Sequence, residues 1–560
     1  MLWGSVALLR LQSQPTGISR LIRALPRCLS HAPTTETKPY YITTPIFYPN
    51  ADPHIGHLYS IVTADIFARF NRLIRPQPDV HFLTGTDEHG LKIQKAAQDR
   101  GIEPGHFCDL LSERFRLLAA QANSSHTSFM RTTSSEHHQA VQHMWNSLVN
   151  KGLIYKDSYA GWYSVSDECF YAEKQVIHIP ETSNLPASVV SAETGSLVEW
   201  AEEENYMFRL SAFRESLLDH YTSRKTIIFP PQHHDQVVAL LAESAEVPLD
   251  DISVSRPRSR LAWGVPVPGD PEHTIYVWID ALMVYLSGVG YPWTAGAHNA
   301  AWPANVQVIG KDILRFHALY LPAMLQAVGL PLAQSILCHA HWTVNGRKMS
   351  KSVGNVVDPF ECMKTYGVDV VRYYFARVGG KFRDDVNWAD REVSKYRDEI
   401  SSFLGNFLMR MTSTKIQKRC ASAAPRTLEE VYAALPADSF YSEVIALQKN
   451  LSIRVAHQME AYEVADALES IVNLLKQSNM AVTEGAPWSA KPEDAQTCYT
   501  ISMETLRLAG LCLQPFIPDT SARLLHALGV GEHERSWEYA EIGKGTIRDV
   551  KAVRLFEFEK

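Results

Sequence analysis

The sequence predicts an α/β protein: a parallel-sheet body interrupted by an insert, followed by an all-α helical bundle. Three observations carry this. Tyr40 to Thr43 and Val80 to Leu83 are short aromatic and β-branched runs that bracket a stretch of helical periodicity, and strand–helix–strand alternation favours parallel pairing with crossovers. Between about 150 and 260 the alternation gives way to an aromatic-rich, turn-rich stretch. From about 390 onward apolar residues step by three and four, as in Val464, Leu468, Ile471 and Leu475, which marks a buried helix stripe. With 560 residues there is room for three or four domains.

Residues 1–38 stand apart. They hold Arg10, Arg20, Arg23 and Arg27 with Ser5, Ser13, Ser19 and Ser30, and no acidic residue precedes Glu36. Leu8, Leu9, Leu11, Ile18, Leu21, Ile22 and Leu25 interleave with the arginines, the pattern of a mitochondrial transit peptide and hence of a matrix protein. No apolar run approaches the ~18–20 residues of a membrane span, so no membrane is expected. The eight cysteines are scattered without a C-x-x-C pair, which excludes a disulfide framework. The net charge of −7 does not announce a nucleic-acid binder; an RNA partner would need a local basic face.

The first body segment, 39–150, opens with the strand Tyr40–Thr43. Pro45, Pro49, Asn50 and Pro53 force an irregular turn. From His57 the residues Leu58, Ile61, Val62, Ile66 and Phe70 leave one apolar helix face. The second strand runs into Thr84-Gly85-Thr86-Asp87. In a Rossmann-like parallel sheet, ligands sit at such carboxyl ends. Residues 151–262 form the insert, with a polar stretch from Ala192 to Asn205 and a proline pair at Pro230-Pro231. The α/β pattern resumes over 263–390, with Thr274 to Trp278 and Val306 to Gly310 as strand candidates. Residues 391–560 are helical, and Pro515 and Pro518 stop the apolar segment that runs from Thr500 to Leu513.

Two short patterns carry chemistry. His54-Ile55-Gly56-His57 lies between strand and helix, where helix-end N–H groups favour anions and a glycine admits a phosphate closely. Two imidazoles there can donate to a triphosphate. Lys348-Met349-Ser350-Lys351-Ser352 follows Asn345-Gly346 and precedes Gly354. Its two ammonium groups suit a loop that stabilises a leaving pyrophosphate. Each pattern alone is weak, since the chain has 22 histidines and basic loops are common. Together, in this order and nearly 300 residues apart, they resemble the two signatures of class I aminoacyl-tRNA synthetases.

That resemblance implies ATP, with Mg2+, held between the signatures by His54, Gly56, His57, Gly310, Asp312, Lys348, Ser350 and Lys351. His54, His57, Lys348 and Lys351 would be catalytic. An amino-acid carboxylate would attack the α-phosphate in line, a reaction that depends on positioning and charge. The segments Ile46-Phe47-Tyr48, Val277 to Leu282 and Ile309 to His317 are similar to the methionine-specific family over nearly the whole mature chain. Carried over, Ile46, Tyr48, Trp278, Ala281, Tyr285, Ile313 and His317 would line the side-chain pocket, and Asp87 would hold the substrate ammonium. The chemistry agrees: a thioether packs well against aromatic edges, and a carboxylate suits an ammonium. Read without the resemblance, Trp278 and Tyr285 are core aromatics.

The implied reaction is activation of L-methionine with ATP to methionyl-adenylate and pyrophosphate, then transfer to the 3′ end of tRNA(Met). An insert of roughly 110 residues is too short, at ordinary domain sizes, for the hydrolytic editing insert of isoleucine, leucine and valine relatives. Many methionine relatives bind zinc in this insert. Here Gly161 to Cys169 offers one cysteine where about four ligands are needed, so no structural zinc is expected. Cys338, His339 and His341 lack a fourth ligand, and no metal is expected there either.

In the helical segment Asn406 and Arg410 share a helix face, and Trp488 follows Pro487. The family's pattern makes Asn406, Arg410 and Trp488 the anticodon-reading elements, with an unstacked base lying on the indole. The chain lacks the appended dimerisation module of some relatives, so a monomer is expected. A synthetase for another small apolar amino acid, a nucleotidyltransferase and a catalytically dead RNA-binding relative remain as alternatives. The last should have lost His54, His57, Lys348 or Lys351.

Overall fold

A computed structural model of the chain describes residues 38–75, 79–164, 169–171, 173–180, 188–192, 194–242, 249–293, 301–349 and 354–556. The expected transit peptide lies outside the described residues.

The central sheet has six strands in the order Ser128–Arg131, Val80–Thr86, Tyr40–Thr43, Val306–Gly310, Ile336–His339 and Ile228–Phe229. Every neighbouring pair is parallel. Parallel strands covered on both faces read as continuous apolar runs, and Tyr40–Thr43, Val306–Gly310 and Ile336–His339 are buried along their whole lengths. The first strand is flanked by the second on one side and by Val306–Gly310 on the other. The strand order reverses there, and such a switch point opens a crevice at the strands' carboxyl ends.

The helix expected from His57 begins at Ile55 and runs to Ile74. Its apolar positions Leu58, Ile61, Val62, Ile66 and Phe70 are all buried. Glycine is required at Gly85, where a Cβ would stand 2.0 Å from the Met130 carbonyl oxygen of the next strand.

Three local expectations differ from what is found. The polar stretch Ala192 to Asn205 contributes most of a twelve-residue strand, Leu197–Phe208, paired antiparallel with Ile154–Ser164. Glu199, Glu202 and Glu204 are exposed there while Val198 and Asn205 are buried. Side chains alternate faces along a strand, so Glu199 and Glu202 lie on opposite faces and this part of the sheet is exposed on both sides. Second, Thr274 to Trp278 does not extend the central sheet. Asp270–Ile275 is the middle strand of a three-stranded antiparallel sheet, and Val277–Leu282 is a helix; a short apolar run does not distinguish the two. Third, Ile228–Phe229, inside the stretch read as insert, is an edge strand of the central sheet.

The C-terminal region is helical. The long helices Ser442–Glu460, Val464–Gly485 and Pro492–Leu513 bury Val464, Leu468, Ile471 and Leu475 as the stripe predicted. Pro518 opens the next helix, Pro518–Ala527, a position where its missing N–H costs nothing. Arg372, 1% exposed, ties this region to the sheet. It meets Asp65 of the Ile55–Ile74 helix at 2.7 Å and donates to the Pro515 and Phe516 carbonyls at 2.9 and 3.0 Å. No described helix is long and apolar enough to cross a membrane.

Candidate active site

A cleft of about 290 Å³ lies at the switch point. Its wall is built from the loop after the first strand (Pro45 to Tyr48), the start of the following helix (His54, Gly56, His57, Tyr59, Ser60), the end of Val306–Gly310 with Asp312 and Ile313, and His339 to Trp342 with Met349.

His54 caps the Ile55–Ile74 helix from an extended conformation. The Gly56 N–H donates to His54 Nδ1 at 3.1 Å, and the His54 N–H donates to His57 Nδ1 at 3.1 Å. Each imidazole thus accepts at Nδ1, which puts the proton of its neutral form on Nε2. The two rings stack with centroids 3.8 Å apart. Phe47 and Phe115 meet His57 edge-on at 5.2 and 5.1 Å. A Cβ at Gly56 would stand 2.9 Å from His54 Cε1, so this glycine makes room for the capping imidazole as well as for a phosphate.

Across the cleft, Gly310 ends its strand and Asp312 follows in the short turn Lys311–Ile313. A Cβ at Gly310 would crowd Asp312 Oδ1 at 2.7 Å. Asp312 pairs with His341 Nε2 at 3.2 Å, and Lys311 with Asp385 at 2.7 Å. His339 is buried; its Nδ1 lies 3.0 Å from the Ala340 carbonyl and its Nε2 2.8 Å from Ser60 Oγ. Burial pushes its pKa down to about 4, so it is neutral, donating at Nδ1 and accepting from the serine.

Asn345 and Gly346, with φ of 53° and 70°, form the tight hairpin turn that this dipeptide favours, joining Trp342–Val344 to Arg347–Lys348. Met349 then lines the cleft. The Lys348 side chain, Ser350, Lys351 and Ser352 lie outside the described residues.

Of the residues expected around methionine, Ile46, Tyr48 and Ile313 line the cleft. Trp278, Tyr285 and His317 are not among its lining residues and are buried. Trp278 lies 4.9 Å from the Tyr320 ring and 6.4 Å from Phe316. The Tyr285 hydroxyl meets His317 Nε2 at 2.7 Å, and His317 Nδ1 lies 2.9 Å from the Ile313 carbonyl. Burial lowers the His317 pKa to about 4, making it a neutral acceptor for the phenol. Burial, and then the nearby Asp87 charge, raise the Tyr285 pKa, so Asp87, Tyr285 and His317 share one neighbourhood. The Asp87 N–H is bound to the Phe47 carbonyl at 2.9 Å.

A family model described as "tRNA synthetases class I (M)" matches residues 40–412, and one described as "Anticodon binding domain of methionyl tRNA ligase" matches residues 437–555. The chain belongs to the class I methionyl-tRNA synthetases. It is 44% identical to the mitochondrial methionine–tRNA ligase of Takifugu rubripes over 521 residues, covering 90% of this chain and 85% of that protein. The human mitochondrial methionine–tRNA ligase is 42% identical over 509 residues, covering 89% and 85%. A solved structure of Mycobacterium tuberculosis methionyl-tRNA synthetase in complex with methionyl-adenylate superposes with a TM-score of 0.81 at 36% identity, covering 90% of this chain and 97% of that one.

For a methionyl-tRNA synthetase the cleft contains more than the signatures announce. Ser60, His339, His341 and Trp342 line it without having been singled out for the nucleotide. The strand-end rule would have flagged His339, had Ile336–His339 been recognised as the neighbour of Val306–Gly310. In the helical region, Asn406 and Arg410 lie on the helix Asn406–Met411, with Asn406 exposed. The Arg410 guanidinium sits 5.6 Å from the Trp488 ring centroid and donates to Asn479 Oδ1 and Thr483 Oγ1 at 3.4 Å. Trp488 follows Ala486, whose left-handed backbone ends the helix Val464–Gly485. Arg410 and Trp488 are thus neighbours.

Proposed function

We propose that the chain activates L-methionine with magnesium-ATP and transfers it to the 3′ end of tRNA(Met) in the mitochondrial matrix, as a monomer. One observation carries the reading: phosphate-type donors, His54 and His57 at a helix start, share a switch-point cleft with Ile46, Tyr48 and Ile313. The Nε2–H groups of His54 and His57 would donate to the triphosphate, the helix start adding its positive end. Asp87 would hold the ammonium, and Trp278, Ala281, Tyr285 and His317 would enclose the thioether. The methionine carboxylate oxygen bonds to the α-phosphorus as the bond to the pyrophosphate oxygen breaks. Lys348 and Lys351, with the substrate's magnesium, would carry the leaving group's charge. A hydroxyl of the tRNA's terminal ribose then attacks the acyl carbon and AMP leaves.

The proposed division is a leader (1–38), a catalytic body (39–150 and 263–390) holding an insert (151–262) that returns Ile228–Phe229 to the body's sheet, and an anticodon-reading bundle (391–560). Zinc is no part of the reading, because Cys169 is the insert's sole cysteine. The tRNA face would run from Asn406, Arg410 and Trp488 along 400–428, where Arg410, Lys415, Lys418, Arg419 and Arg426 meet no acidic residue in sequence. The mitochondrial names of relatives and the arginine-rich leader support the location. The test is ATP–pyrophosphate exchange on protein lacking residues 1–38, each amino acid supplied separately. Exchange with methionine alone, abolished by Lys351→Ala in folded protein, is expected. Exchange with no amino acid would overturn the reading.

A further inference from the structure

Outside the cleft's lining lies a buried carboxylate to which the proposed chemistry assigns no part. Asp280 is 0% exposed and sits between two imidazoles that are themselves 2% and 0% exposed. Its Oδ2 lies 2.6 Å from His89 Nδ1 and its Oδ1 2.9 Å from His137 Nε2. His137 Nδ1 continues to Ser287 Oγ at 2.8 Å. Burial alone would favour the protonated carboxyl, but the two histidines outweigh it and hold Asp280 below the usual carboxylate range. It therefore accepts from both rings.

The three partners come from separate elements. Asp280 belongs to the Val277–Leu282 helix, which also carries Trp278 and Ala281. His137 belongs to the helix Ser135–Asn150. His89 lies in the turn after Val80–Thr86, two residues beyond Asp87. That turn is clamped on its other side by Glu88, whose carboxylate takes Arg131 at 2.6 and 2.9 Å. The Trp263 indole N–H donates to the Glu88 carbonyl at 2.6 Å. The side chains of residues 88 and 89 are thus anchored to different elements, with Asp87 immediately before them.

We infer that Asp280 is a positioning residue for methionine: through His89 and His137 it fixes the helix of Trp278 and Ala281 against the turn of Asp87. A substrate whose ammonium meets Asp87 and whose thioether meets Trp278 spans the two elements that this carboxylate joins. The nucleotide elements, His54 to His57 and Gly310 to Asp312, are not among its partners. The inference rests on the methionine reading proposed above.

Exchange kinetics on the full mature enzyme, varying methionine and ATP separately, tests it. Asp280→Asn keeps the shape but sets an amide N–H against one imidazole N–H. It should raise the KM for methionine about ten-fold or more and leave that for ATP within two-fold. His89→Asn retains a donor at the Nδ1 position and should stay near the parent, whereas His89→Leu should behave like Asp280→Asn. This pair keeps the test available if Asp280→Asn does not fold. A methionine KM unchanged in both Asp280→Asn and His89→Leu, methionine and ATP constants rising together, or identical behaviour of the two His89 variants would overturn the inference while the parent still exchanges. A parent enzyme without methionine-dependent exchange would overturn the reading beneath it, and this inference with it.

Discussion

Replacing Gly56 by alanine should separate the site's chemistry from the fold's stability. The added Cβ would stand 2.9 Å from His54 Cε1 and 3.0 Å from Nδ1, closer than carbon atoms approach without movement. The imidazole is the end of a side chain and can swing away, so the backbone need not shift. Swinging breaks the Gly56 N–H to Nδ1 bond, and losing a helix cap costs about 1 kcal/mol. Against this, alanine in a helix is favoured over glycine by about 0.5–1 kcal/mol. The two terms nearly cancel, and the melting temperature should move by less than about 3 °C. Activity has no such compensation. His54 Nε2 loses its aim at the triphosphate, and a misplaced preorganised donor costs on the order of 10²-fold in rate. Exchange kinetics and a thermal melt on the same sample give both numbers. A variant melting normally with at least a third of parental kcat/KM would refute the role given to His54. One melting 8 °C lower would refute the account of the cap.

Asp87→Asn should raise the KM for methionine by about 10- to 100-fold, from loss of a charge-assisted pair of roughly 1.5–3 kcal/mol, with the ATP KM nearly unchanged; equal shifts in both would contradict the assignment. His339, neutral with its pKa lowered to about 4, should confer acid sensitivity. Its folded pKa lies below the unfolded value, so its contribution is full above about pH 6.5 and is lost as pH falls toward 4, about 3 kcal/mol in all. His339→Asn should therefore flatten the fall in urea stability between pH 7 and pH 5 relative to the parent. Lys415→Gln with Lys418→Gln should weaken tRNA binding and lower the slope of log affinity against log salt by about 0.7–0.9 per lost phosphate contact, leaving pyrophosphate exchange untouched. An unchanged slope would move the tRNA face elsewhere.

What was legible in the sequence is what is local. The His54–His57 pattern at a helix start, the strand runs that reach Thr86 and Gly310 and the buried Val464–Leu475 stripe each lie within a dozen residues. The Asp280 network was not legible, because its members stand at 89, 137 and 280 and only the fold makes them neighbours. Ile228–Phe229 escaped for a different reason: two residues carry no period. Leu197–Phe208 was not legible as a strand because its glutamates occupy both faces of the sheet, and a polar run without alternation resembles a loop in sequence. The need for glycine at position 56 was visible, but half of its cause, the imidazole of His54, was not.

The loop from Thr44 to His54 connects these observations to the reaction. It carries Ile46 and Tyr48 at one end and His54 at the other, so one segment touches both the proposed thioether pocket and the phosphate donors. Joining a carboxylate to an α-phosphate requires the two reactants to be held at a fixed separation. The loop is fastened accordingly. Thr44 N–H donates to the Leu83 carbonyl at 3.0 Å, Phe47 N–H to Gly85 at 2.9 Å, and Asp87 N–H back to Phe47 at 2.9 Å. At the far end the Ile55 N–H donates to Val357 at 3.2 Å. The close approach that Gly85 permits beside Met130 sets the second strand, and through Phe47 that strand sets the loop. In the proposed reaction the distance between the reacting groups would therefore be set by sheet register, which is stiff, while Lys348 and Lys351 would meet the charge that leaves with pyrophosphate.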